Sequence, residues 1–309
     1  MYDDVFPDLK LRSFIAFMRS GAVTEAARRV GRTQPAVTQQ LASLEEDFGV
    51  TLLERKGRGL APTAAGEVLF KYAERIEALY REAAAATAEA SGREDYVVGA
   101  TLSLAEFLLP EIIATLQKEK PGLEIRMRAA NTSVVAAEVR RGELALGLVE
   151  GPFDPEGLEA ESFGRDRLLL VAAPGSDLGA RAPIPAARLL ELPLLERERG
   201  SGTRAVFEAW LAGRGLDPEA LVPRMELGSI GAIKSLVGRG IGFAVLSELA
   251  VSAELAAGSL EAIPLEGGAI ERDLVLLRPA SIGGMRGGGF GERLAGAARA
   301  ALLRSRAPS

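Results

Sequence analysis

The chain has 309 residues, of which 48% are hydrophobic, so it is long enough for two or three domains with sizeable cores. It contains neither cysteine nor histidine, which excludes disulfides, thiolate metal sites and the Ser-His-Asp triad, and argues against most zinc sites and many enzyme classes. The net charge of -5 argues against a nucleic-acid binder that depends on positive charge over its whole surface, but it is compatible with a small basic module on an acidic body.

The N-terminal segment gives no sign of export. Its sequence, MYDDVFPDLK, is acidic and lacks the charged and then apolar pattern of a signal peptide. The chain also contains no run of eighteen or more purely apolar residues. We therefore expect a cytoplasmic protein without a membrane span.

The first sixty residues have the spacing of three short helices joined by tight turns. The first predicted helix ends at Ser20-Gly21, and the second runs from Thr24 to Val30. Thr33 is the predicted N-cap of the third helix, whose first turn tolerates Pro35. One face of this helix, which ends at Gly49, is apolar: Val37, Leu41, Leu44 and Phe48. Two amphipathic helices joined by a glycine-containing turn are typical of a helix-turn-helix.

A wing and a long helix are predicted next. Residues 51–62 have the pattern of two short strands around a basic turn, Lys56-Gly57-Arg58-Gly59. A helix is predicted from Thr63 to about Ala90, because apolar residues recur there at intervals of three and four. These residues are Leu69, Tyr72, Ala73, Ile76, Leu79, Tyr80 and Ala83. A stripe of this kind resembles a coiled-coil seam and predicts packing between two chains.

After Ser91-Gly92 the pattern changes to alternating strands and helices. The predicted strands are Tyr96–Ala100, Glu124–Ala130, Leu144–Val149, Leu168–Ala173, Leu194–Glu198, Arg224–Leu227, Ile241–Leu246 and Leu274–Leu277. This alternation predicts α/β domains with largely parallel sheets, and about 200 residues are enough for two small lobes. The stretch Ile282 to Gly291 is predicted to be a flexible loop before a final helix, Glu292 to Arg304.

The start of the third helix carries side chains that can read DNA bases. A recognition helix reaches base edges in the major groove with its N-terminal residues. Glutamine can pair with adenine, and threonine can bond a base or contact a thymine methyl group. Flanking basic residues can hold phosphates. The candidate DNA-binding residues are Arg32, Thr33, Gln34, Pro35, Ala36, Thr38, Gln39, Arg55, Lys56 and Arg58. A helical hairpin with a solvated polar face is the alternative, and the basic wing and long helix argue against it.

This region resembles the DNA-binding region of the LysR-type transcriptional regulators. The matching stretches are LRSFIAFMRSGAVTEAARRV, RTQPAVTQQLASLEEDFGVTLLER and RGLAPTAAG. The resemblance implies a linker helix that pairs two chains and an effector domain of two lobes, similar to periplasmic solute-binding proteins. It thus implies a winged helix-turn-helix domain (1–62), which we take as all-α apart from its wing, and a linker and dimerisation helix (63–91). The α/β effector-binding domain (92–309) would have Rossmann-like lobes at 92–166 with 268–309 and at 167–267.

Four predicted strand-to-helix junctions carry candidate ligand donors. In open α/β sheets, ligands bind beyond the carboxyl ends of the strands, where helix N-termini offer free N–H groups. The candidate effector-binding residues at these junctions and at the end of the third strand are Thr101, Ser103, Asn131, Thr132, Glu150, Gly200, Ser201, Gly202, Thr203 and Ser229. Hydroxyl and backbone N–H donors suit a small anion, such as a carboxylate or a sulfur oxyanion. The alternative is that the serine and threonine residues are only helix caps.

Three further stretches resemble the branch of LysR-type regulators tied to sulfur assimilation and sulfite: NTSVVAAEVRRGELALGLVEGP, ERGSGTRAVFEAWL and MELGSIGAIKSLVGRGIGFAVLS. Ala145 stands here where that branch usually has aspartate, and Ala130 where it usually has glycine. Glu150 is expected to face the cleft, where its charge would repel an anion. It could instead bond a protonated or amino group, or orient Arg204, and the sequence leaves both alternatives open.

The sequence therefore predicts a ligand-responsive, sequence-specific transcription regulator and not an enzyme. Its expected partners are promoter DNA, a small anionic effector, further copies of the chain in a homodimer or homotetramer, and RNA polymerase, with no cofactor and no metal. Two alternatives are an α/β enzyme and a solute-binding protein with a helical N-terminal extension. A solute-binding protein would lack residues 1–90 and usually carry an export signal, and an enzyme would need carboxylates, lysine or a cofactor in the cleft.

Overall fold

A computed structural model describes residues 6, 8–57, 59–92, 94–280 and 289–305. The chain divides into two compact units, one of residues 1–92 with 141–143 and one of residues 93–140 with 144–309. Most of the predicted glycine-rich loop and the wing residue Arg58 lie outside the described residues. Within the described ranges, no helix is both long and apolar enough to cross a membrane.

The N-terminal unit consists of four helices and a two-stranded wing. Its elements are α1 (Leu9–Ser20), α2 (Val23–Val30), α3 (Gln34–Phe48), β1 (Leu53–Lys56), β2 (Gly59–Pro62) and α4 (Ala64–Ala90). β1 and β2 pair antiparallel. The three predicted helices, the wing and the long helix are therefore all present.

Local chemistry fixes where these helices start and end. Asp8 caps α1, since its carboxylate accepts hydrogen bonds from the amides of Lys10 and Leu11 at 2.9 and 3.0 Å. The hydroxyl of Thr33 accepts from the amide of Ala36 at 3.4 Å, as expected of an N-cap. The first three helices end at glycines with positive φ, a conformation that costs glycine little: Gly21, Gly31 and Gly49.

The core of this unit contains residues from all four helices. Phe14, Phe17, Val37 and Leu41 are buried with Leu69 and Ala73 of α4. Phe48, the last residue on the apolar face of α3, is 53% exposed, so the core does not extend to the end of this helix. The apolar stripe of α4 is only partly buried. Leu69 and Ala73 lie in the core, whereas the remaining large side chains of the stripe are exposed: Tyr72, Ile76, Leu79 and Tyr80.

The second unit alternates strands and helices. Its strands are β3 (Asp95–Ala100), β4 (Glu124–Ala129), β5 (Leu146–Glu150), β6 (Leu158–Ala172), β7 (Leu195–Arg197), β8 (Met225–Leu227), β9 (Ala244–Ser247), β10 (Glu261–Ile263) and β11 (Ile270–Pro279). Its α-helices are α5 (Leu102–Phe107), α6 (Leu109–Glu119), α7 (Thr132–Arg140), α8 (Gly202–Ala212), α9 (Ile230–Gly238), α10 (Glu248–Ala256) and α11 (Phe290–Ser305). Short 3-10 helices span Gly179–Arg181, Ala186–Glu191 and Pro218–Ala220.

The main sheet of this unit is mixed, which corrects the prediction of largely parallel sheets. Its strand order is β10-β6-β11-β5-β3-β4, and β9 also pairs with β6. Only β3 pairs parallel with its neighbours β4 and β5, whereas the other pairs in this sheet are antiparallel. The prediction failed because β6 begins at Leu158 and not at Leu168, so that it runs antiparallel beside the whole of β11. β7 and β8 form a separate parallel pair.

The two longest strands contribute to two separate cores. Phe163 of β6 and Leu274 of β11 belong to a core with β3, β5, α5, α6 and α11, which we call lobe 1. Leu168 of β6 and Ile270 of β11 belong to a second core with Phe207 and other residues of α8, which we call lobe 2. The chain therefore crosses between the lobes on β6 and β11.

Candidate DNA interface and effector site

The residues predicted to read DNA lie together at the N-cap and on the first turns of α3. Arg32, Thr33, Gln34, Pro35, Thr38 and Gln39 are exposed, and Ala36 is half-buried. The face is therefore accessible, and the buried Val37 between these residues anchors it to the core.

Two hydrogen bonds order this exposed face. The amide nitrogen Nε2 of Gln34 donates to the hydroxyl of Thr24 in α2 at 2.8 Å. The hydroxyl of Thr38 donates to the carbonyl oxygen of Gln34 at 3.0 Å. Thr24 was not among the predicted residues, although its place on the first helix of the helix-turn-helix could have indicated it.

The wing supplies accessible positive charge beside α3. Arg55 and Lys56 are exposed on β1, and in the part of the chain that the structure describes neither they nor Arg32 form an ion pair. Glu45 of α3 accepts hydrogen bonds from the amides of Leu52 and Leu53 at 2.7 and 3.0 Å, which ties the wing to the helix. These cations are thus available for phosphate oxygens.

The predicted effector residues meet where β5 ends and three helices begin. The hydroxyl of Thr101 donates to Glu150 Oε2. The hydroxyl of Thr132 donates to the carbonyl oxygen of Glu150 at 2.9 Å. Ser201 and Thr203 lie at the start of α8. All of these residues and Ser103 are buried, so they form one polar cluster inside the second unit.

Two of the hydroxyl residues at helix starts do not cap their helices, whereas a third does. Thr101 and Ser201 occupy N-cap positions, but neither side chain makes a capping hydrogen bond. Their hydroxyls are therefore not committed to the helix backbone. Ser229 does cap its helix, since it accepts from the amide of Ala232 at 3.2 Å, and it is exposed. Ser229 therefore acts as a helix cap and, being exposed, is not one of the buried residues of the cluster.

Asn131 and Gly200 lie beside each other at the edge of the cluster. A Cβ atom on Gly200 would be 3.2 Å from Nδ2 of Asn131, and Gly200 has a φ of +89°. Asn131 is half-buried and Gly200 is exposed. The two residues therefore lie between the buried cluster and solvent.

Glu150 is the electrostatic centre of the cluster. It is 2% exposed, and burial raises the pKa of its carboxyl group from 4.5 to about 7, against the opposing effect of the Arg272 guanidinium. Arg272 Nη1 lies 3.5 Å from Glu150 Oε1. A large share of Glu150 is therefore protonated near neutral pH.

The alternative in which Glu150 orients Arg204 is wrong. Arg204 donates to Glu208 at 2.7 Å and to Glu226 at 2.8 Å, and it lies 3.3 Å from Glu196. These three carboxylates hold the guanidinium on lobe 2, so the basic partner of Glu150 is Arg272 instead.

Three buried polar residues of the cluster were missed by the sequence-based reasoning: Asp166, Ser247 and Arg272. Asp166 accepts from Arg272 Nε and Nη2 at 2.9 and 2.7 Å, and from the hydroxyl of Ser247 at 2.8 Å. The sequence signal for this pair is an acidic residue on β6 and a basic residue on β11. It could not be used because the first half of β6 had not been predicted to be a strand.

Two family models match the chain. Residues 90–282 match the LysR substrate binding domain, and residues 9–67 match the bacterial regulatory helix-turn-helix protein, lysR family. HTH-type transcriptional regulator Rv2282c of Mycobacterium tuberculosis is 34% identical over 270 residues, which cover 84% of this chain and 86% of that protein. HTH-type transcriptional regulator CysL of Bacillus subtilis is 30% identical over 279 residues, which cover 89% of this chain and 90% of that protein.

A solved structure shows the same fold for the effector region. The regulatory domain of Synechocystis CcmR, in complex with 2-PG, has a TM-score of 0.59 and 21% identity, and the match covers 70% of this chain and 100% of that chain. The matched models and relatives are transcription regulators, so the enzyme alternative is replaced by a regulator with a DNA-binding and an effector-binding domain. The chain belongs to the LysR family of transcriptional regulators.

Proposed function

We propose that this LysR-type regulator senses a small monovalent anion, a carboxylate or a sulfur oxyanion, in the buried cluster around Glu150. The observation that carries the proposal is the convergence of donors from several elements on one carboxylate. The hydroxyl of Thr101 donates to Glu150, and the guanidinium of Arg272 lies close to it. Ser201 leaves its hydroxyl uncommitted at the start of α8. An anion would be bound by the same donors.

The charge of Glu150 decides how an anion can be accommodated. An ionised Glu150 beside an anion would place two like charges in a site buried from water, which is unfavourable. A protonated Glu150 can instead donate a hydrogen bond to the anion. Because its pKa is raised to about 7, protonation near neutral pH costs little free energy. We therefore propose that anion binding is coupled to proton uptake by Glu150.

The names of relatives support a small effector without identifying it. The regulatory domain of CcmR was solved with the small molecule 2-PG. CysL is 30% identical over 89% of this chain. We propose that the effector joins lobe 1 to lobe 2 and so changes the spacing of two DNA-binding units.

Calorimetric titration of the full chain with sulfite, sulfate, thiosulfate and O-acetylserine tests the effector. We expect heat with sulfite, whose hydrogen sulfite form is a monovalent anion, and weaker binding in Thr101→Val, which keeps the shape of the side chain but loses its hydroxyl. Ser229→Ala is the matched control, because that hydroxyl caps α9 outside the cluster. The absence of heat with every anion would refute the sulfur effector.

We further propose that the exposed residues of α3 read promoter DNA. Arg32, Thr33, Gln34, Pro35, Ala36, Thr38 and Gln39 would contact the major groove, while Arg55, Lys56 and Arg58 would hold phosphates. Mobility shifts on the promoter region of the chain's own gene, with Gln34→Ala and Thr38→Ala, test this interface. Lys71→Ala, exposed on α4, is the control. Undiminished sequence-specific binding in both α3 variants would refute the assignment.

The exposed stripe of α4 is proposed to pair two chains. Tyr72, Ile76, Leu79 and Tyr80 are large apolar side chains that no described residue of the same chain covers fully. Pairing through them would form a homodimer, and two dimers a homotetramer that presents recognition helices to half-sites one or more DNA turns apart. In this proposal residues 1–62 form the DNA-binding domain, residues 63–91 the linker and residues 92–309 the effector domain. RNA polymerase is the partner that the DNA-bound regulator contacts.

A further inference from the structure

One pair of charged residues links the two strands on which the chain crosses between its lobes. Asp166 of β6 and Arg272 of β11 are direct partners in the antiparallel register. Their exposed fractions are 1% and 5%, so the pair is almost entirely removed from solvent. Burying two charges costs desolvation free energy unless hydrogen bonds satisfy both groups. The other hydrogen-bond partners of Asp166 and Arg272 therefore matter for the role of the pair.

Asp166 fixes the orientation of Arg272. Two nitrogens of the guanidinium, Nε and Nη2, donate to Asp166 Oδ2 at 2.9 and 2.7 Å. The hydroxyl of Ser247, at the end of β9, donates to the same oxygen at 2.8 Å. Because the guanidinium is planar, these bonds also determine where its third nitrogen points.

The third nitrogen, Nη1, faces both lobes. It donates to the hydroxyl of Thr203 at 3.0 Å and lies 3.5 Å from Glu150 Oε1. Thr203 belongs to α8, whose Phe207 lies in the core of lobe 2. Glu150 ends β5, whose Leu148 lies in the core of lobe 1. A single guanidinium nitrogen thus reaches the facing ends of both lobes.

Other charged groups near Glu150 are already committed. Arg197 on β7 donates to its neighbour Glu198 at 2.8 and 2.9 Å. Asp166 is occupied by Arg272 and Ser247. Arg272 is committed to Asp166 in the same way, but among the described residues it is the cation that forms an ion pair with Glu150, with its Nη1 3.5 Å from Oε1. Its Nη1 is therefore the donor that can serve an anion in place of the Glu150 carboxylate.

We infer that Arg272 is an effector-binding residue, that Asp166 positions it, and that the site selects monovalent over divalent anions. The inference rests on the proposed anion-binding function. In the present arrangement the Glu150 carboxylate takes the place of an effector anion at Arg272 Nη1 and the hydroxyl of Thr101. With Glu150 protonated, the cation of Arg272 and the anion of Asp166 cancel, so the site has no net positive charge. A divalent anion would therefore leave two uncompensated negative charges buried there, where a monovalent anion leaves one.

Titration of the full chain with sulfite at mildly acidic pH, where the monovalent form is abundant, and with sulfate tests the ligand class. We expect sulfite to bind at least about tenfold more tightly than sulfate, which corresponds to 1.4 kcal/mol. Equal or tighter binding of sulfate would overturn the selectivity for monovalent anions.

Removal of Arg272 tests its role in binding. Arg272→Gln leaves Asp166 buried without its cation, so Arg272→Gln/Asp166→Asn, which removes both charges, is compared with it. We expect the double variant to fold and to lose at least about tenfold in sulfite affinity. Arg165→Gln is the matched control, because Arg165 pairs with Glu271 and Asp273 across the same two strands on the exposed side. Wild-type affinity in the folded double variant would overturn the assignment.

A readout without any ligand separates this inference from the proposed function. Carboxyl ¹³C NMR of the full chain with labelled glutamate reports the titration of Glu150, assigned by the resonance absent from Glu150→Gln. Because the Arg272 cation stabilises the ionised form, Arg272→Gln should raise the pKa of Glu150. An unchanged pKa would refute the contact between Arg272 and Glu150. Failure of the wild-type chain to bind any of the anions would instead refute the proposed effector class.

Discussion

Gly202 at the start of α8 lies against the backbone of Glu150 at the end of β5. A methyl group on Gly202 would clash with the Glu150 carbonyl oxygen, far inside van der Waals contact distance, and it would be 3.0 Å from the hydroxyl of Thr132. A Cβ atom on Gly151 would likewise lie 2.9 Å from the Cα atom of Gly202. The two lobes can therefore approach this closely only because glycine occupies both positions.

Gly202→Ala is expected to keep the lobes from closing as they do here. Because the obstacle is backbone and not a flexible side-chain end, α8 must move away from β5, and donors from the two lobes no longer converge. We expect anion affinity to fall by about tenfold or more, since closure becomes a minor state. Titration calorimetry with sulfite measures this anion affinity.

The control for this prediction lies on the same helix. A Cβ atom on Gly213, at the end of α8, would be 3.4 Å from the carbonyl oxygen of Ala209, which is close to ordinary contact, and its φ is -61°. Gly213→Ala should therefore leave anion affinity unchanged. Equal affinities for Gly202→Ala and the wild type would show that the effector does not need the close approach.

The raised pKa of Glu150 predicts a pH-dependent stability. The folded chain retains a proton on Glu150 up to about pH 7, whereas the carboxyl group ionises around its ordinary pKa of 4.5 in the unfolded chain. The folded state thus binds more protons between these values, so stability falls as pH rises through this window. Glu150→Gln removes the titrating group and with it this contribution.

Urea unfolding between about pH 5 and pH 8 measures this effect. Relative to wild type, Glu150→Gln should gain on the order of 2 to 3 kcal/mol in free energy of unfolding across the range. Glu196→Gln should be analysed beside it, because burial also raises the pKa of Glu196 to about 7. Parallel pH profiles for the wild type and Glu150→Gln would show that Glu150 titrates normally.

The two halves of the chain differ in how much could be predicted from the sequence. The helix-turn-helix is defined by local signals, such as the Thr33 cap and the glycine after α3, and its helices were predicted to within a few residues. The polar cluster was predicted in part, because hydroxyl groups at helix starts are visible in the sequence. The partnership of Asp166 with Arg272 was not, because it depends on the register of two distant strands.

The first half of β6 shows why that register was missed. Its sequence, LEAESFGRDR, is rich in charged residues, and a strand with one solvated face and few apolar side chains gives a weak pattern. Phe163 is its one buried large side chain before Leu168. Tertiary pairing with β11, rather than local preference, therefore determines that this segment is a strand.

A charge placed on the exposed stripe of α4 is expected to separate paired chains. Ile76→Glu puts a carboxylate where a second chain would bury an apolar side chain, which is strongly unfavourable. Sedimentation velocity should show a smaller species for this variant. Arg75→Glu, at the next exposed position of the same helix, should keep the wild-type size. Identical sedimentation of Ile76→Glu and wild type would exclude this stripe as the interface.

The hydrogen bond between Thr24 and Gln34 predicts that α2 takes part in DNA recognition without touching a base. The Thr24 hydroxyl accepts from Nε2 of Gln34 at 2.8 Å and so turns the amide oxygen Oε1 away from α2. An amide fixed in this way loses less side-chain freedom on binding DNA. Thr24→Val keeps the shape of residue 24 but removes its acceptor. We expect it to weaken sequence-specific binding by about 1 kcal/mol, roughly fivefold, without lowering the melting temperature, because Thr24 is exposed.

Thr24→Ser is the matched variant, since serine restores the hydroxyl at the same position. Fluorescence anisotropy with a cognate promoter fragment and with an unrelated duplex separates the contribution of base contacts from that of phosphate contacts. Loss of affinity in Thr24→Val for the cognate fragment alone, with recovery in Thr24→Ser, would identify Thr24 as the residue that positions Gln34. An equal loss on both duplexes would point to a general weakening of phosphate contacts, because those contacts carry no sequence information.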